Sequence, residues 1–391
     1  MRTIGVEERR ARLARRHHLA PSGRASGPVE VAGGLVALHA TDPATVYLAA
    51  AARMRLPENA AVERALYEER ALVRMLGMRR TMFVVPRDLV GVVHASSTRA
   101  IAALERRRTL QLLEGSGIGG DLAAWLAGVE EATLAALAAR GEATGAELSA
   151  DVPGLRTRML LAEGKPYQSL QNITTRVLTL LAADGRIVRG RPRGSWISSQ
   201  YRWSPLEAWL PGGVPEWTPA DARAELVRRW LAAYGPGTEA DLRWWTGWTA
   251  AHVRAALAAA GAVEVDLDGA AGLVLSDDVD PQPVTEPWVG LLPALDPTVM
   301  GWAGRDWYLG EHGPALFDRS GNAGPTVWCD GRVVGGWAQP PGGGVAVELL
   351  EDVGAEAAAA VEEAAGALGG WLGEVRVTPR FRTPLERRLC S

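Results

Sequence analysis

Two side chains near the start of the chain, His39 and Thr41, have the types and spacing needed to hold and activate a water molecule. Histidine serves as acid or base near neutral pH, and a threonine hydroxyl both donates and accepts hydrogen bonds. In an extended segment, residues two apart point to the same side. Asp42-Pro43 follows at once, and Asp at a cap with Pro at the first helical position is a strong helix start. The pair therefore sits where a strand hands over to a helix. A histidine of ordinary pKa acting as base would give a rate that rises with pH through that pKa and then levels. The competing account makes His39 a satisfied histidine beneath a helix cap and Thr41 a helper cap.

The elements that must position this pair read as repeated winged-helix units. Residues 6–18 form a basic helix. Residues 28–38, 43–54 and 58–70 form three more helical stretches, and 72–89 form a hairpin with Arg79 and Arg80 near its tip. That layout is three helices closed by a β-hairpin. Residues 88–113 are predicted helical. A second unit has helices over 121–140, 143–151 and 168–184, then a strand, a basic turn over 189–193 and a strand over 195–197. Gln168, Gln171, Asn172, Thr175 and Arg176 fall on the early face of its last helix. Arg189, Arg191 and Arg193 fill its turn, where a winged helix would meet phosphates or base edges. A third unit repeats the pattern over 219–265. Beyond it, β-rich segments punctuated by Gly and Pro predict a small antiparallel sheet or barrel, with an acidic helix over 355–368 and a last strand over 375–377. The boundaries predicted are residues 1–115, 116–210 and 211–275 for three winged helices, and 276–391 for the β-rich part.

Charge is unevenly spread. Residues 1–210 carry 29 Lys+Arg against 20 Asp+Glu, a balance of +9, and residues 211–391 carry 13 against 25, a balance of −12. A basic half joined to an acidic half suits a protein that faces a polyanion on one side. Lys165 is the sole lysine. Cys329 and Cys390 have no metal-ligand spacing, which argues against a zinc site or a disulfide framework. No run reads as a membrane span, and the first residues lack the apolar core of a secretion signal, which places the protein in the cytoplasm.

Several blocks, in order, resemble the AlkZ/YcaQ superfamily of winged-helix DNA glycosylases. Residues 34–54, GLVALHATDPATVYLAAAARM, are similar to the block GLxxLQAQDPxxxYLxxxAR, and residues 79–86, RRTMFVVP, to RGTLHLVP. WVGLLPALDPTVMGW, PTVWCDGRVVGGW and RVTPRFRTPLER resemble its C-terminal blocks. The resemblance implies an α+β fold: tandem winged helices in a curved shell with a C-terminal antiparallel β-barrel-like region. It implies a monomer that hydrolyses the N-glycosidic bond of alkylated purines in double-stranded DNA, including bulky N7-guanine or N3-adenine adducts of DNA-alkylating antibiotics, in repair or toxin self-resistance. No cofactor or metal is implied, nor a membrane partner. The family motif is Gln-Φ-Gln or Gln-Φ-Asp, and His39-Ala40-Thr41 stands in its place, making His39 and Thr41 the catalytic candidates. Arg79, Arg80, Gln171, Asn172, Arg176, Arg189, Arg191 and Arg193 are the DNA-contact candidates. With no lysine in the motif, no Schiff-base lyase step is expected. The alternative function is a non-catalytic winged-helix DNA-binding protein, a regulator or an adduct-sequestering protein.

Overall fold

The motif strand is two residues long, Leu38–His39, and pairs antiparallel with Thr81–Pro86, the returning strand of the first hairpin. The computed structural model in which this is seen describes every residue except Met1, Glu163 and Tyr167. Leu72–Gly77 completes a three-stranded sheet with Thr81–Pro86 in its middle. Asp42 caps the helix Pro43–Ala51 by accepting from the Ala44 N–H at 3.1 Å. Eight of that helix's nine residues are buried, because the sequence is apolar on every side and the helix runs through the core.

Two further wings follow. Ala143–Thr144, Tyr201–Pro205 and Ile187–Pro192 form the second three-stranded sheet, and Ala262–Leu267 pairs with Ala270–Leu275 in the third. The long helix Leu122–Arg140 starts at Asp121, whose carboxylate accepts from the Ala123 and Ala124 N–H groups. Pro219–Tyr234 and Glu239–Thr246 start at Thr218 and Thr238, each accepting from a backbone N–H three residues on.

The C-terminal strands depart from a barrel. Val289–Leu292, Thr326–Cys329, Arg332–Ala338 and Ala346–Leu349 form an open four-stranded antiparallel sheet in sequence order. Nothing joins its first strand to its last. Helices take over the task of closure: Ala355–Leu372 packs along Val289–Leu292, and Pro384–Leu389 packs on Arg332–Ala338 and Ala346–Leu349. A covered edge needs no partner strand.

Four local expectations also change. Gln171 and Asn172 lie on a strand, Ser169–Asn172, paired with Arg158–Leu161, and the helix begins only at Thr174. Arg189 and Arg191 belong to the strand Ile187–Pro192, and the chain returns at Tyr201. Trp196, buried between Tyr47 and Trp371, anchors residues 195–197 as a loop. Residues 375–377 form no strand, because the Gln339 side chain meets their backbone: its amide donates to the Val375 carbonyl and accepts from the Val377 N–H. Finally, Leu122–Arg140 is long and apolar enough to cross a membrane by length and composition. Its leucines and alanines share that hydropathy, while Leu126, Val129, Thr133 and Leu137 are buried in the core and Glu130 pairs with Arg106 at 2.9 Å.

A buried ion pair joins the two ends of the fold. Arg53 and Asp296 have no solvent exposure, and the guanidinium meets the carboxylate through both oxygens at 2.9 and 2.7 Å. The other donors go to the carbonyls of His17 and Ala49 and to Thr298 Oγ1, so all five N–H groups are used. His17 Nδ1 faces the same Thr298 hydroxyl at 2.8 Å, and its Nε2 faces the Ala233 carbonyl. Removing one partner of such a pair strands a charge in the interior. Asp296→Ala is expected to lower unfolding free energy by about 3–5 kcal/mol in denaturant melts. Arg53→Met with Asp296→Leu should recover most of that loss, because both charges leave together.

Candidate active site

His39 sits on the motif strand opposite Phe83, whose ring meets the imidazole edge-on with centroids 5.6 Å apart. Only 6% of the residue is exposed. Its Nδ1 is buried with no hydrogen-bond partner among the described residues. A buried unpaired polar atom costs about 1–3 kcal/mol and asks for an explanation. Burial, reinforced by the positive charge of Arg79, pushes the imidazole pKa down to about 3. His39 is thus neutral across the physiological range.

The other side of the strand is polar too. Arg74, on Leu72–Gly77, donates from Nη1 to the Ala40 carbonyl at 3.1 Å and so fixes the middle residue of the motif. Its Nε and Nη2 are buried without partners among the described residues, as are the hydroxyls of Tyr47, Tyr67 and Tyr201. The Tyr201 ring lies 4.8 Å from the Arg74 guanidinium carbon. None of these four was singled out in the sequence. Their signal was faint: an Arg inside an apolar strand, and tyrosines scattered over 150 residues.

Thr41 is half-buried beside the cap. Burial holds the Asp42 pKa above the usual carboxylate range, against the Ala44 N–H it accepts from and the nearby backbone and charge of Arg380, and the tail residues Val377 and Pro379 line one small pocket with it. The tail is therefore docked on the motif. Thr45, one turn into the helix, donates to the Ala294 carbonyl at 2.9 Å.

Arg79 reaches this region from the hairpin tip. Its backbone is left-handed, with φ of 52°, and Arg80 follows at 62°, a conformation uncommon outside glycine. The Arg79 guanidinium stacks 4.0 Å from the Trp244 ring centre, and Arg305 lies 4.7 Å from the same ring. Burial, with Arg305 adding to it, pushes the Arg79 pKa down to about 10. Two like charges thus share one indole. Neither is within salt-bridge distance of a carboxylate among the described residues.

Several of the remaining DNA-contact candidates are engaged with other groups of the protein. Arg80 pairs with Glu105 at 3.0 Å, and Arg176 reaches the same carboxylate at 3.9 Å. Gln171 bonds Ser169, and it and Asn172 are exposed. Arg189 lies against Trp203 and Tyr201, and burial pushes its pKa down to about 10. Arg191 pairs with Glu63 and Glu68 at 2.5 and 3.1 Å. Arg193 alone of the three is exposed and unpaired among the described residues. Among the described residues, no group of three or more His, Cys, Asp or Glu is placed to hold a metal ion.

A histidine held neutral in the fold affects stability in acid. Unfolded, the imidazole takes its proton near pH 6.5. Folded, it resists until about pH 3. Between these values the unfolded state binds more protons, so stability falls as pH drops below about 6.5. His39→Gln removes that term. Relative to pH 7, the variant should gain on the parent by about 2 kcal/mol at pH 5, read from urea melts at the two pH values. Equal losses in both proteins would mean that the ring is protonated in the fold.

A family model described as DNA glycosylase AlkZ-like matches residues 32–371. No match appears among curated proteins. Among solved structures, the DNA glycosylase AlkZ of Streptomyces sahachiroi superposes with a TM-score of 0.73 at 21% identity, covering 97% of this chain and 100% of that one. The motif strand, the hairpin tip and the helix Pro43–Ala51 all lie inside the matched span. The chain belongs to the AlkZ-like family of winged-helix DNA-binding proteins.

Proposed function

We propose that the chain is a monofunctional DNA glycosylase that hydrolyses the N-glycosidic bond of alkylated purines, with His39 and Thr41 holding the attacking water. The observation that carries this reading is the neutral, buried His39 with an unclaimed Nδ1, beside an arginine and on a strand fixed by Arg74. An N7- or N3-alkylated purine already bears a positive charge. It leaves with little help from an acid, and the sugar becomes oxocarbenium-like. What the protein must supply is a placed water and a negative field. A histidine of such low basicity is a weak base, but a late proton transfer asks little of it; its main task is to orient the water. Thr41 supplies a second hydrogen bond to that water. The Asp42 carboxylate, beside them on the chain, places negative charge near the developing cation.

A second reading is a DNA binder without catalysis, and one observation favours it. Among the described residues no carboxylate meets the imidazole to raise its basicity, and Asp42 is engaged as the helix cap by the Ala44 N–H. Single-turnover base release from DNA carrying a bulky N7-guanine adduct separates the two. For the glycosylase, His39→Ala abolishes release while DNA affinity holds, and Thr41→Ala costs less. His39→Gln, which restores the family's residue, retains part of the rate. The parent profile should be flat from pH 5 to 9, in contrast to the rise through an ordinary histidine pKa, because the ring is already neutral there. If the parent binds tightly and releases no alkylated base, the binder reading replaces this one.

A further inference from the structure

The C-terminal part is acidic overall, yet it holds a concave groove that is basic. Gly313–Leu316, the loop after it and the tail around 380–387 enclose about 740 Å³ lined by Arg319, Arg380, Arg382 and Arg387. None of these four arginines is in an ion pair among the described residues, whereas Arg388 next door pairs with Glu348. Arg382 Nε is buried without a partner. The one acidic wall residue, Asp318, is turned to its own loop, accepting from the Ser320 and Asn322 N–H groups and from the Asn322 amide.

Aromatic rings are interleaved with these charges. Phe381 is 39% exposed, and the Arg380 guanidinium carbon lies 5.7 Å from its ring centre. Phe317 lines the same groove and lies 4.9 Å from Arg305, which in turn shares Trp244 with Arg79. Arg305 keeps Nε and Nη2 buried and unclaimed among the described residues. A chain of guanidinium and aromatic groups thus runs from the hairpin tip beside His39 into the groove. Asp42 shares a small pocket with Val377 and Pro379, the tail residues just before Arg380, which brings the other end of the groove to the motif.

We propose that this groove takes the sugar-phosphate backbone of one DNA strand next to the motif, with Phe381 stacking on an unpaired base. Free guanidinium donors in a concave wall suit phosphates. Exposed aromatic faces between them are the pattern of single-strand sites. A duplex is too wide for so small a concavity, and an exposed aromatic face between the charges favours a stacked base over a lipid headgroup. The proposal rests on the reading that the motif acts on DNA.

The test is equilibrium binding of a fluorescent single strand and of a duplex with an unpaired stretch, between about 50 and 200 mM salt. The variant is Arg319→Gln/Arg380→Gln/Arg387→Gln. All three side chains are exposed, and the variant keeps the Arg380 main chain beside Asp42 while removing the Arg380 charge that Asp42 also feels. Its log–log salt slope should be shallower than the parent's by roughly 2, at about 0.7 to 0.9 for each phosphate no longer neutralised. Phe381→Ala should weaken binding several-fold and leave the slope unchanged. A control with the same reduction in charge, Arg140→Gln/Arg228→Gln/Arg254→Gln, should keep the parent slope. An unchanged slope in the groove variant overturns the proposal, as does loss of binding to phosphatidylserine vesicles with DNA binding intact. Base release is scored separately. A parent that releases bases while the groove variant keeps its slope leaves the enzymatic reading standing and removes the groove. A parent inert on every lesion whose groove variant loses slope does the reverse.

Discussion

The bidentate contact between Arg53 and Asp296 is the constraint on which the rest of the architecture depends. An ionised guanidinium with no solvent exposure is tolerated only when every donor is met, and here every donor is met. The five acceptors come from the first helix, the motif helix and the segment after the first strand of the C-terminal sheet. Satisfying one side chain therefore fixes three distant pieces of chain at once. The motif helix is held at its far end by this pair and at its near end by Asp42, so its register relative to the strand carrying His39 has little freedom. His17, wholly buried and kept neutral mainly by that burial, extends the same network to Ala233.

Much of the fold was legible because local signals agreed with one another. The Asp42-Pro43 start identified an element boundary from side-chain chemistry alone, and the caps at Asp121 and Thr238 and the Asp330-Gly331 turn are local devices of the same kind. Asp330 and Gly331 take positive φ as a tight hairpin turn requires. What the sequence hid was tertiary. Nothing within residues 168–176 tells a polar helix face from a strand edge; the pairing of Ser169–Asn172 with Arg158–Leu161 decides it. Nor does the tail segment Val375–Val377 reveal that a glutamine side chain will take the place of a neighbouring strand. The open C-terminal sheet has the same origin, since helices from elsewhere in the chain cover its edges.

The site shows the same division. His39 was found from residue type, spacing and resemblance, but its neutrality comes from burial under Phe83 and from Arg79, which the sequence could not place. Arg74 was hidden inside an apolar strand. Net charge was a blunter guide still. Arginines counted in the basic half turn out to be engaged with Glu63, Glu68 and Glu105, and free guanidinium groups gather in the half whose sum is negative. Sign summed over a long segment says nothing about which cations already have partners; only pairing geometry does.

The tail's docking on Asp42 bears on how the molecule assembles. Arg53 and Asp296 are 243 positions apart, and the motif and the tail are farther apart still. Contacts of such separation close large loops, whose entropy must be lost before the contact returns anything. Arg53, just past the motif helix, has its carboxylate only when the segment around Asp296 is in place. Completion of the motif is thus coupled to formation of the C-terminal sheet.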